Sequence, residues 1–90
     1  MSREDKAQER REDCRREVRA FLAQRQQLAH RVSAIKRRLN IENDFTDEEI
    51  EAALIFLAGL GEVSSSAAEL GATKFFQATS AGVLAYERSN

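Results

Sequence analysis

The sequence predicts a mainly α-helical domain with a small β-hairpin, and three observations carry that prediction. All four glycines (Gly59, Gly61, Gly71, Gly82) lie in the last third and proline is absent, so no helix breaker occurs before residue 59. Thr46 opens an S/T-x-x-E capping box ahead of a strongly apolar segment. Beta-branched and aromatic residues then flank Gly71, the pattern of two short strands joined by a turn. Ninety residues with 42% apolar and 32% charged content make one core under a well-solvated surface. Sandwiches and barrels need more turn formers than this chain has.

The first sixteen residues are nearly all charged and alternate in sign, which suits a solvated helix with i,i+4 pairs such as Glu12 with Arg16, frayed at its start. An apolar stripe follows at Cys14, Val18, Phe21 and Leu22, one face of an amphipathic helix. A second stripe runs through Leu28, Val32, Ile35 and Leu39. Taken together, Cys14, Val18, Phe21, Arg25, Leu28, Val32, Ile35 and Leu39 also form a continuous heptad seam with Arg25 as its only charged member. The first half therefore admits either one long coiled-coil helix or two helices joined near residues 25–29.

The third helix is announced by Thr46, Asp47, Glu48 and Glu49. The Thr46 hydroxyl is placed to accept from the Glu49 amide while the Glu49 side chain reaches back. Phe45 before the cap and Ile50 at the fourth helical position pair as a hydrophobic staple, and three acids in the first turn complement the helix dipole. Ile50, Ala53, Leu54, Leu57 and Leu60 form the buried stripe, ended by Gly59 and Gly61. Strands are expected at residues 62–66 and 73–79 around a flexible tip at 67–72. Alternation puts Phe76 and Ala78 on one face and Phe75 on the other. Thr79 or Ser80 caps a short last helix carrying Val83, Leu84 and Tyr86.

Residues 16–88 of this helix, helix, capped helix, hairpin, helix order resemble the winged helix-turn-helix domains of the MarR, ArsR and PadR type. The carrying residues are Val18-Arg-Ala-Phe-Leu22, Val32–Leu39, residues 49–60 followed by Gly61-Glu-Val63, and Lys74-Phe-Phe-Gln-Ala-Thr79 with Ala81-Gly82. The resemblance implies a winged helix-turn-helix (α-α-α-β-β-α) at residues 16–90, with residues 1–15 as a charged extension of the N-terminal helix. It also implies a small DNA-binding protein, a dimeric transcriptional regulator. In such domains the third helix enters the major groove. Here that helix starts with Asp47, Glu48 and Glu51 and has no Arg, Lys, Asn or Gln to read a base edge, so the usual readout does not transfer.

Charge divides the chain. Residues 1–41 hold twelve Lys/Arg against six Asp/Glu, a balance of +6, and residues 42–90 hold two against nine, a balance of −7. Such asymmetry points to an anionic partner for the first half, or to the two halves attracting each other within one fold. Arg31, Lys36, Arg37 and Arg38 on the second helix and Lys74 on the wing are the candidate phosphate contacts to double-stranded DNA, set against a plain solvated surface. A homodimer through the long first helix would use Cys14 and Val18. Phe75 is either an outward anchor for a partner or tucked under the N-terminal helix, and the tuck is preferred. The alternatives are a winged-helix module docking a charged protein through its acidic third helix, and a coiled-coil assembly protein.

Catalysis is not expected. His30 has no cysteine or second histidine beside it for a metal, so neither a metal site nor a cofactor is foreseen. Cys14 between charged neighbours is either a lowered-pKa thiol, through Arg15 and Arg16, or a small hydrophobe, the commoner case. Ser64-Ser65-Ser66 lacks a nucleophile-elbow context, and no glycine-rich phosphate loop occurs. The longest apolar stretch, residues 52–60, is too short to span a bilayer, and the charged N-terminus does not resemble a signal peptide. A cytoplasmic protein without a membrane partner is the expectation.

Overall fold

A breaker-free N-terminal sequence forms a 22-residue helix, α1 (Arg3–Gln24), the first of six elements in the computed structural model, which describes residues 3–67 and 73–89. It is followed by α2 (Val32–Leu39), α3 (Asp47–Gly59), the strands β1 (Val63–Ala67) and β2 (Lys74–Ala78), and α4 (Ser80–Ser89). The mainly helical fold with a two-stranded antiparallel hairpin is as expected. Of the flexible tip expected at 67–72, Ala67 instead ends β1, paired with Lys74, and residues 68–72 lie outside the described residues.

Of the two readings left open for the first half, the structure has two helices. α1 stops at Gln24 without glycine or proline, because its last carbonyls find other donors. The Arg25 amide donates to the Leu22 carbonyl at 3.1 Å, and the Arg25 guanidinium donates to the Phe21 carbonyl at 3.1 Å. The heptad seam therefore ends at Arg25. Leu28, its next apolar member, is 58% exposed in the linker before α2.

α1 packs its apolar face on α3, and α2 closes the same core. Val18, Leu22, Ile35, Ile50, Leu54 and Leu57 are fully buried, with Cys14, Phe21, Leu39, Phe45 and Val63 around them. Each large side chain removed from water contributes about 1.5–3 kcal/mol before the entropy of ordering it. Between α2 and α3, the Asn40 side-chain amide clasps Phe45, donating to its carbonyl at 2.8 Å and accepting from its amide at 3.0 Å. This clasp delivers buried Phe45 to the position just before the Thr46 cap.

The capping box forms as the residues require: the Glu49 amide donates to Thr46 Oγ1 at 3.1 Å and the Thr46 amide to Glu49 Oε1 at 2.9 Å. At the other end, Gly61 takes a φ of +78°. The Gly61 amide donates to Ala58 at 3.0 Å and the Glu62 amide to Leu57 at 2.9 Å, the paired bonds of a Schellman ending. Gly59 is not needed for that turn, and Leu60 at the C-cap is 52% exposed rather than part of the buried stripe.

The hairpin pairs Val63 with Ala78 and Ala67 with Lys74 at its two ends. A further piece of the sheet comes from the linker before α2. His30 and Phe76 exchange backbone bonds, His30 N to Phe76 O at 2.8 Å and Phe76 N to His30 O at 2.7 Å. Thr79, rather than Ser80, caps α4, accepting from the Gly82 amide at 3.1 Å while donating its hydroxyl to Gly61 O at 2.6 Å. Gly82 packs against the Glu62 carbonyl so closely that a Cβ would stand 2.1 Å from its oxygen.

Candidate functional site

Part of the opposition between the +6 and −7 halves is spent inside the fold. Arg10 on α1 pairs with Asp44, at 3.3 Å, and with Glu49. Arg19 pairs with Glu62 at 2.7 Å, and Lys36 with Asp47 at 3.0 Å. Each pair joins a cation of residues 1–41 to an acid of residues 42–90. Arg19 and Glu62 are the best sheltered, at 21% and 14% exposure, where screening by water is weakest. Arg10 holds the Glu49 carboxyl down to about 2, with the Thr46 amide adding to the effect.

The basic residues expected to act together on α2 and the hairpin are dispersed by the structure. Lys36 is occupied by Asp47. Arg31, the N-cap residue of α2, and Lys74, at the start of β2, line a groove of about 600 Å³ between α2, α3 and the hairpin. Arg37 and Arg38 lie on another side, lining a recess of about 500 Å³ with Arg25 and His30. No acidic residue lines this recess, and Arg25, Arg37 and Arg38 make no ion pair among the described residues. Arg25 and Arg38 extend into an adjoining hollow of about 440 Å³, which Glu17 and Glu42 border.

Arg25 is held ready. Its guanidinium lies 4.2 Å from the centre of the Phe21 ring while donating to the Phe21 carbonyl, so little of its freedom remains to be lost on binding. The His30 ring meets Phe21 edge-on at 4.9 Å between centroids. Burial, and then the positive charge of Arg25, lower the pKa of His30 below its ordinary value. Both effects disfavour the charged form of its ring. The sequence marks Arg25 only as the flaw in a seam. Its place in the recess comes from a turn that brings the end of α1 against α2, a tertiary fact with no local signal.

Cys14 and Val18 are corrected as partner-binding residues. They are 2% and 0% exposed, buried against α3, because the apolar face of α1 is consumed by the protein's own core. Burial pushes the Cys14 thiol up to about 11, aided by Glu49, so the flanking arginines do not activate it. Its Sγ lies 3.5 Å from the Glu49 carbonyl oxygen, and the residue acts as a small hydrophobe. Phe75 is half-buried on β2, while Phe76 and Ala78 pack on the core as alternation predicts.

The solvent side of α3 is acidic, then apolar. Glu48 and Glu51 are exposed near its start, and Ile55, one turn further, is 72% exposed. Arg15 covers the neighbouring Phe56, its guanidinium 3.5 Å from the ring centre. Periodicity does not single out Ile55 in the sequence, because apolar residues occupy nearly the whole circumference of α3 and leave the outward one unmarked. Among the described residues no His, Cys, Asp and Glu group is placed to hold a metal, and no helix is long and apolar enough to cross a membrane. Compared with known proteins, the chain matches no family model, no curated protein and no solved structure.

Proposed function

We propose that the chain is a winged-helix protein that binds double-stranded DNA through phosphate contacts on its basic α1–α2 side, acting as a regulator without reading bases through α3. The element order supports the winged-helix part. The observation that carries the DNA part is the recess lined by Arg25, Arg37 and Arg38, free of acids and of internal ion pairs. Glu48 and Glu51 repel phosphate at the face a reading helix would insert.

Fluorescence anisotropy of a labelled duplex across a salt series tests this reading. Affinity should fall steeply with salt and vary little between unrelated sequences. The Arg37→Glu/Arg38→Glu variant should lose at least roughly tenfold in affinity, with a salt slope shallower by about two. A wild-type chain that binds no duplex at low salt removes the reading. A second reading, docking of a protein on α3, is favoured by one observation, the exposure of Ile55 beside Glu48 and Glu51.

A further inference from the structure

The recess of about 500 Å³ where α1 meets α2 has the size of a small-molecule site, whose usual range is roughly 300–1,000 Å³. Arg25, Arg37 and Arg38 line it, and no carboxylate does. Arg25 gives one donor to the Phe21 carbonyl, while Arg37 and Arg38 have no hydrogen-bond or ion-pair partner among the described residues. His30 lines the same recess, and its Nε2 is buried without a hydrogen-bond partner among those residues. Unmet guanidinium donors at this density call for an oxygen-rich anion.

The adjoining hollow of about 440 Å³ limits what that anion can be part of. It shares Phe21, Arg25, Arg38 and Ile41 with the recess, so one ligand can reach into both. Glu17 and Glu42 line only this second hollow, as Arg37 and His30 line only the first. The two carboxylates repel further negative charge and accept hydrogen bonds from amino and hydroxyl groups. Ile41, 73% exposed within the chain, gives both hollows apolar surface. A ligand with one anionic end and a neutral, donor-bearing body satisfies this layout, whereas a continuous polyanion meets repulsion at Glu17 and Glu42. We propose that the two hollows form a binding site for a nucleoside 5′-monophosphate, its phosphate held by Arg25, Arg37 and Arg38 and its nucleoside beside Ile41, Glu17 and Glu42. This rests on the phosphate reading of the recess given above, and narrows its ligand from a run of backbone phosphates to one terminal phosphate. The nucleotide is free or forms the 5′ end of a strand, since both present the same group.

Proton NMR of the full chain at fixed pH, titrated with adenosine or cytidine 5′-monophosphate, reads the site directly. His30 is the single histidine of the sequence, so its ring signals report the recess without assignment. They should shift and saturate, with a dissociation constant of about 1 mM or tighter. Adenosine 3′,5′-cyclic monophosphate keeps the base and sugar with one charge fewer, and should bind at least roughly tenfold more weakly than the 5′-monophosphate. Inorganic phosphate, which lacks the nucleoside, should also bind more weakly. Arg37 is exposed, so Arg37→Gln should keep the wild-type thermal midpoint while nucleotide affinity falls roughly tenfold. A 5′-phosphorylated oligonucleotide that binds more tightly than the mononucleotides makes the ligand a strand end. One that binds no better makes it the free nucleotide, and either result upholds the site. The absence of a saturating shift with both nucleotides overturns the proposal. So does cyclic nucleotide binding as well as the 5′-monophosphate, or an Arg37→Gln chain that binds like wild type. A closed circular duplex, which has no ends, separates the two ideas. If the circle binds and the nucleotides do not, the duplex reading stands and this site falls; the opposite pair of results keeps the site and removes the duplex.

Discussion

Glu49 ties together three parts of the chain. Its carboxylate closes the capping box on Thr46 and holds Arg10 of α1, while its carbonyl oxygen faces the Cys14 thiol. Because the folded carboxyl titrates near 2, below its ordinary 4.5, the folded state binds this proton more weakly than the unfolded chain does. The stability that Glu49 contributes is thus complete above about 4.5 and is lost as pH falls toward about 2. Urea unfolding of wild type and Glu49→Gln over that range should show the difference between them shrinking as pH drops. Gly82 gives a second prediction at the same scale. The Glu62 carbonyl leaves no space for a Cβ, so Gly82→Ala must shift backbone and should cost about 1–3 kcal/mol, read as a lowered urea midpoint.

Among the elements, α3 was the most legible because its determinants are local. The capping box, Phe45 ahead of it and Gly61 behind it all lie within or next to the segment they delimit. Thr46→Ala removes one partner of the box and should destabilise the protein by about 1 kcal/mol, within 0.5–2, measured by thermal or chemical unfolding. The boundary of α1 was illegible for the opposite reason. Its stop depends on an arginine side chain folding back on Phe21 and on a linker whose His30 finds its backbone partner only once β2 arrives. No residue type in 25–29 announces either event. The strand contributed by His30 was equally hidden, since one bridging residue has no periodicity to detect.

Across the whole molecule, the residue types of the candidate site could be read in advance, and their availability could not. Twelve basic residues in the first 41 were plain from the sequence. Pairing then removed Arg10, Arg19 and Lys36 by contact with acids far along the chain, and packing set Arg31 apart from Arg37 and Arg38. The two open interpretations of the charge asymmetry are therefore complementary. Attraction between the halves accounts for the paired cations, and three of the others, Arg25, Arg37 and Arg38, line the recess where α1 meets α2. For the same reason Cys14 and Val18, read as a stripe on a lone helix, belong to a core that only α3 completes.

The backbone bridge at His30 also bears on how the sheet avoids growing. A hairpin has two outer edges, each a row of unpaired amides and carbonyls on which a foreign strand can assemble. His30 occupies the middle of the β2 edge at Phe76, breaking the continuous run that strand addition needs beside the aromatic pair. The other edge belongs to β1, five residues long, whose exposed Ser64, Ser65 and Ser66 give an added strand little to bury. The apolar strand is flanked by covalently tethered chain and the polar strand offers little apolar surface, two features that disfavour the addition of a further strand.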